Sequence, residues 1–439
     1  MLHESLPLSG NMIYLEILGQ RILVLNSLST ILPLLEAKAS NNSDRLPVPA
    51  LDMAGFGEWN FATMNNNSEL RAHRRAFHHF MSQHHINLYW PILEQEALHM
   101  LRRLLGDSAD VLEAARLFFG TSIMRTSYGA VDPTYNQGLI RDGETIVKGF
   151  SSAAAPGKML VNIFPVLKYI PSWLPGAGWK HTLDDLAVVG DRVLNNAFND
   201  AKARINTGAE RDEFPCAVKM FLDEMEGDDE NLSYSERERV ARNAIAVSFV
   251  GGSDTVVTSA RALIFAMASH PDVQRKAQAE LDAVVGAERL PSPTDMDHLP
   301  YMQAIVKEIG RWHTVVPLGL PHASRDDDVF NGYFIPGKTI LMPNVWAIMH
   351  DPEIFEDPDK FNPERYLKDG KIDPSVLDSF GGAFGFGRRT CPGRYFSQSA
   401  LQFMAASLLA VFDIRPPRDE AGNPISMKME TSSNLQIIS

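Results

Sequence analysis

The run Phe384-Gly385-Phe386-Gly387-Arg388-Arg389-Thr390-Cys391-Pro392-Gly393 sets one cysteine among three glycines and a proline, two residues after an arginine. Glycine adopts backbone angles that a Cβ forbids and lets the chain press against a flat ligand, while proline is preset to open the helix that follows. Backbone N–H groups aimed at the sulfur would hold it as thiolate, the form that ligates metal. Such a loop suits the sulfur to a haem iron. The plainer alternative is a buried cysteine in a glycine-rich turn, which is the reading adopted for the second cysteine, Cys216, in Phe214-Pro215-Cys216.

A second constellation, Gly251-Gly252-Ser253-Asp254-Thr255, lies in the middle of a long apolar-periodic stretch. Ser235-Glu236-Arg237-Glu238 predicts a capping box, and the pattern runs to a stop at His270-Pro271, which makes one helix of about 35 residues crossing the molecule. Two glycines inside a helix cost about 1 kcal/mol each relative to alanine, so packing or function must offset them. A hydroxyl that both donates and accepts, beside a carboxylate, is the pair that relays protons. In an ordinary helix Thr255 would instead bond back to a carbonyl four residues earlier, and Asp254 would be a solvated face residue. Glu308 and Arg311 share a face of a helix beginning near Pro300. Exposed, such a pair contributes at most about 1 kcal/mol.

The cysteine run resembles the haem-binding loop of the cytochrome P450 family, most closely its fungal microsomal members. The other motifs follow in the family's order from about Met12 to Asp413: glycine-rich helix, Glu-x-x-Arg, a second arginine motif, then the cysteine loop. The resemblance implies a mainly α fold with a small β-sheet region, haem b lying between the long central helix and the Cys391 loop. It makes Cys391 thiolate the axial ligand. Gly251 and Gly252 would leave room for dioxygen, with Asp254 and Thr255 delivering protons; Val256 stands where the family often has a further hydroxyl. Arg365, in Phe361-Asn362-Pro363-Glu364-Arg365-Tyr366, would complete a buried structural triad with Glu308 and Arg311. Arg389, His322 and Arg74 match residues that hold the haem propionates, although a solvated charge is the alternative for His322 and Arg74. Leu70 replaces the family's tryptophan four residues before Arg74, and Met64-Asn65-Asn66-Asn67 departs from the usual approach to that helix. Phe384 would shield the proximal face of the haem, an ordinary core phenylalanine being the alternative.

The activity implied is insertion of one atom of dioxygen into a lipophilic organic substrate, in secondary metabolism or xenobiotic oxidation. Electrons would come from NADPH through a separate cytochrome P450 reductase, with Arg71, Arg75, Arg388 and Arg394 as candidate docking residues. The chain would act as a monomer on the cytosolic face of the endoplasmic reticulum membrane. Two other readings stand beside it: a haem-thiolate isomerase or dehydratase, against which Asp254-Thr255 argues, and an inactive truncated haem-binding protein. The anchor and proline-rich hinge usual in eukaryotic members are not seen, and the chain stops at Ser439, short of the family's last hairpin. Truncation is preferred to an unusual soluble member, and one wall of the substrate pocket would then be missing.

The bulk numbers agree. A net charge of −13 and 22% charged residues carry no basic stripe for nucleic acid, and two cysteines make no disulfide framework. Neither a secretory signal nor a membrane span is visible; the apolar region 12–35 is broken by Glu16, Gln20 and Arg21. Segments 13–18 and 21–26 predict a hairpin around Gly19-Gln20, and a second β region within 329–345, marked by Asn331-Gly332 and Pro336-Gly337-Lys338, is expected to join it in one sheet. Helical spacing marks 69–105, 183–205, 235–269 and 271–286. Segment 163–179, with Pro165, Pro171 and Pro175 among Phe164, Tyr169, Trp173 and Trp179, is too proline-rich for a long helix and predicts a loop, either exposed or folded over the core. Segments 46–61, 149–179 and 315–320 are the expected pocket walls. No repeat or linker divides the chain, so residues 1–439 are read as one domain.

Overall fold

The computed structural model describes residues 10–106, 110–155, 157–208, 214–225 and 233–427, and these are mainly helical with small sheets. The expected hairpin forms from β1 (Met12–Ile17) and β2 (Gln20–Leu25). Its turn is Leu18-Gly19, one position earlier than expected, with φ of 50° and 79°. Two left-handed residues make the turn whose twist matches the strands.

The second β region divides. β3 (His322–Ala323) flanks a sheet of order β1-β2-β6-β3, whereas β4 (Asp328–Phe330) and β5 (Tyr333–Ile335) form their own hairpin on Asn331-Gly332; β6 is Ile340–Pro343. β6 runs parallel to β2, and Leu23, Leu25 and Leu341 bury a small core that also takes in Ile348 and Phe386. That core is what ties the sheet to the cysteine loop.

The stretch 69–105 is two helices, α1 (Ser68–Met81) and α2 (Trp90–Leu104), because Ser82 turns extended and Pro91 opens the second. Asn67 caps α1 by accepting from the Leu70 N–H at 3.0 Å. Helices without a clear signal include α3 (Val111–Tyr128) and α4 (Pro133–Ala154). α3 is buried along most of its length, so no polar stripe marks its period. The 183–205 expectation becomes α5 (Trp179–Asp191), a wider turn at Arg192–Asn196, and α6 (Ala197–Thr207).

The long helix is α7 (Tyr234–Ser269), 36 residues and so about 54 Å. Its capping box uses Ser233 and Glu236 instead of Ser235 and Glu238: the Glu236 carboxylate accepts from the Ser233 N–H at 3.1 Å. α7 packs against α3, α1 and α4 in the middle of the larger core. α8 (Pro271–Val284), α9 (Pro300–Trp312) and α10 (Arg394–Leu409) complete the bundle.

Within 163–179, before Trp179 opens the next helix, the only helical segment is a short one at Pro165–Tyr169, and turns at 171–174 and 174–177 follow it. Val166, Tyr169 and Trp173 are 69%, 75% and 78% exposed, so these side chains do not fold over the core. Among the described residues no helix is long and apolar enough to cross a membrane. Residues 428–439, on which the expected loss of a last hairpin falls, lie outside the described residues.

Candidate active site

The cysteine loop is closed by its own backbone. The Cys391 N–H donates to the Phe384 carbonyl at 2.7 Å, and the Gly393 N–H bonds to the sulfur. Gly385 and Gly387 have φ of 79° and 55°, and a Cβ on Gly387 would run into the Leu35 carbonyl. Burial pushes the Cys391 thiol up, while the Gly393 N–H, Arg74 and Arg394 pull it down. Phe384 is half-buried with its ring 5.6 Å from Phe380, whereas Phe386 is the loop's core anchor.

Beside this loop three guanidinium groups meet. Arg389 donates through Nε to the Ser43 carbonyl at 2.7 Å and through a terminal nitrogen to the Met64 carbonyl. Arg74 donates to the Thr390 carbonyl at 2.9 Å. Arg45 is the third, and no motif singled it out; it donates to the carbonyls of Ala62, Leu320 and Pro321 at 3.1, 2.7 and 2.5 Å. His322, 4% exposed, places Nδ1 at 2.9 Å from the Asn42 carbonyl.

Among the described residues none of these arginines has a carboxylate partner. Asp44, the acid felt by Arg389, pairs with Arg325 at 3.0 Å. Burial holds Arg45 well below its ordinary value, and Arg389 and Arg74 add to this. Burial and then Arg74 lower Arg389 to about 10, against Asp44. Arg74 is lowered by burial and by Arg394, with Cys391 opposing. Burial, then Arg45, bring His322 down to about 3. Mutually repelling cations whose only partners are carbonyls fit a ligand with two carboxylates. Haem carries two propionates, so this donor set and the neighbouring Cys391 sulfur suit it. Leu70, in place of the family's tryptophan, is buried in the core and offers no donor.

On α7 the two glycines face differently. A Cβ on Gly251 would meet open space, although the position lies mid-helix, whereas one on Gly252 would press on Ile123 of α3 at 2.9 Å. Gly251 is exposed and leaves its face of the helix open, whereas Gly252 allows close helix packing. Thr255 donates its hydroxyl to the Gly251 carbonyl at 2.7 Å, the intrahelical bond expected of any helical threonine. That bond leaves the oxygen's acceptor capacity free. Asp254 and Thr255 are both half-buried.

Glu308 and Arg311 have fully buried side chains and pair through two bonds of 2.7 and 2.8 Å. Arg365 joins Glu308 at 3.2 Å, and the Asn362 N–H does so at 2.8 Å. Arg311 also donates to the carbonyls of Met349, Pro358 and Lys360. Of the surface arginines, Arg71, Arg75 and Arg388 are exposed; Arg394 stacks on the Tyr395 ring at 4.4 Å.

A sequence profile of the family described as Cytochrome P450 matches residues 2–437, a span that passes the Asp413 limit of the motif resemblance. Cytochrome P450 monooxygenase COX1 of Coprinopsis cinerea is 47% identical over 97% of this chain and 82% of its own length. COX2 of the same fungus is 39% identical over 98% and 81%. Tryptamine 4-monooxygenase of Psilocybe cyanescens is 35% identical over 95% and 81%. The chain belongs to the cytochrome P450 family of haem-thiolate monooxygenases.

Proposed function

We propose that the chain works as one catalytic domain that inserts an oxygen atom of dioxygen into a lipophilic organic substrate, with Cys391 as the axial thiolate. Haem, when bound, supplies the centre at which dioxygen is reduced. Arg45, Arg74, Arg389 and His322 would hold its propionates, and Phe384 would shield the sulfur. Gly251 keeps that open face of α7 clear, and Thr255 would move protons toward it. Its hydroxyl turns from the Gly251 carbonyl to donate, then recovers a proton by way of Asp254. Glu308, Arg311 and Arg365 take no part in the chemistry and hold the chain around α9. The carrying observation is the set of three carboxylate-free guanidiniums converging beside the one glycine-framed cysteine.

Electrons come from NADPH through a separate flavoprotein reductase, for which Arg71, Arg75 and Arg388 offer exposed positive charge. The exposed Val166, Tyr169 and Trp173 suit a position against the cytosolic face of the endoplasmic reticulum membrane, with the chain acting as a monomer. The fungal relatives, one of them named a tryptamine 4-monooxygenase, favour a role in secondary metabolism. The test is turnover with a fungal reductase, NADPH and isotopically heavy dioxygen. One labelled oxygen in the product is expected; product formed without NADPH, or without label, refutes the reading and favours isomerisation.

A further inference from the structure

His322 is held on two sides. Its Nδ1 lies 2.9 Å from the Asn42 carbonyl, the next residue's N–H donates to the Asp44 carbonyl at 2.8 Å, and Arg45 grips the Leu320 and Pro321 carbonyls just before it. A neutral imidazole carries one N–H. The Asn42 carbonyl is an acceptor only, so that hydrogen sits on Nδ1 and leaves Nε2 a bare lone pair. A lone pair cannot donate to a carboxylate. Only the imidazolium satisfies Asn42 and an anion at once.

We propose that His322 takes up one proton from solvent as the haem docks, so that Nδ1–H stays on the Asn42 carbonyl and Nε2–H donates to a propionate. This rests on the reading of the site as a haem pocket. The charged groups around the ring explain the direction. Arg45 and Arg389 both act on it, Arg74 acts on each of those two, and Asp44 is engaged by Arg325. Without haem the ring sees burial and positive charge, and its pKa lies at about 3. Two propionates offset most of that positive field, and one hydrogen-bonded to Nε2 favours the charged ring. At His322 one proton is added, to Nε2, with solvent as its source; the proton that Cys391 gives up as it becomes thiolate is a separate one.

The experiment is a haemin titration of apoprotein, produced in haem-starved cells, in weakly buffered solution with a pH indicator at pH 7. Cys391 changes protonation equally in wild type and His322→Gln and cancels in the comparison. Wild type is expected to take up about one more proton per haem than His322→Gln, whose amide can donate without a proton. Between pH 6 and 8, the ratio of wild-type to variant haem affinity should fall with rising pH, by up to about tenfold per unit. Infrared difference spectra of wild type with ring-labelled histidine give a reading independent of any variant, with neutral imidazole lost and imidazolium gained on haem binding. Equal proton counts, parallel affinity profiles or an unchanged imidazole band, with a normal Soret band present, overturn this proposal alone. Absence of a Soret band in both proteins overturns the haem reading and this proposal with it.

Discussion

Replacing Glu308 with alanine removes the acceptor of four hydrogen bonds: two from Arg311 at 2.7 and 2.8 Å, one from Arg365 at 3.2 Å and one from the Asn362 N–H at 2.8 Å. The Arg311 side chain is fully buried, and its remaining partners are carbonyls, which carry no neutralising charge. Stranding a buried charge in this way typically costs about 3–5 kcal/mol. That is a large share of the roughly 5–15 kcal/mol by which native proteins outweigh their unfolded states. Arg365→Ala should cost less, about 1.5–3 kcal/mol, because it withdraws one bond from Glu308, leaves the Glu308–Arg311 pair intact, and otherwise frees only the carbonyls of Glu356, Asp357 and Lys360. Urea unfolding followed by tryptophan fluorescence, on haem-free and haem-loaded protein, measures both. A Glu308→Ala loss below about 1 kcal/mol, the range of an exposed ion pair, or a larger loss for Arg365→Ala, would refute the reasoning.

Thr255→Ala should preserve haem content and substrate binding while diverting NADPH electrons to hydrogen peroxide; product formation with unchanged coupling would show that its hydroxyl moves no proton. Arg45→Leu should speed haem loss to apomyoglobin by about tenfold or more, since one charge-assisted bond is worth about 1.5–3 kcal/mol; an unchanged rate removes Arg45 from the propionate site. His313 is 3% exposed, and burial lowers it from 6.5 to about 4, so the unfolded chain binds its proton first. Its contribution is fully present above pH 6.5 and falls as pH drops toward 4, by about 3 kcal/mol in total. His313→Gln should flatten that part of the stability profile measured by urea midpoints; an identical profile contradicts it.

What the sequence made legible is local. The cysteine run carries its fold in its own glycines: the left-handed angles of Gly385 and Gly387 and the proximity of Gly387 to the Leu35 carbonyl are demands that only this residue type meets. The glycine pair of α7 was legible as an exception to helix propensity, but its two members look alike until Ile123 is placed against one of them. Ser233 and Ser235 each precede a glutamate by three residues, and local pattern does not choose between them. Arg45 stayed hidden because it sits in an aperiodic stretch and its partners Leu320 and Pro321 are some 275 residues away in the chain. The pairing of β2 with β6, and hence the division of the second β region, was illegible for the same reason, being a parallel contact across the whole chain. α3 escaped because burial on almost every side erases the alternation that marks a surface helix.

The central claim is that the Cys391 thiolate binds the haem iron, and the difference spectrum of the reduced, carbon monoxide-bound protein tests it most directly. Wild type should show the long-wavelength Soret band of a thiolate-ligated ferrous carbonyl, and Cys391→Ser should lose it. A wild-type band at the shorter wavelength of a neutral axial ligand, or a spectrum unaltered by the serine substitution, would contradict it.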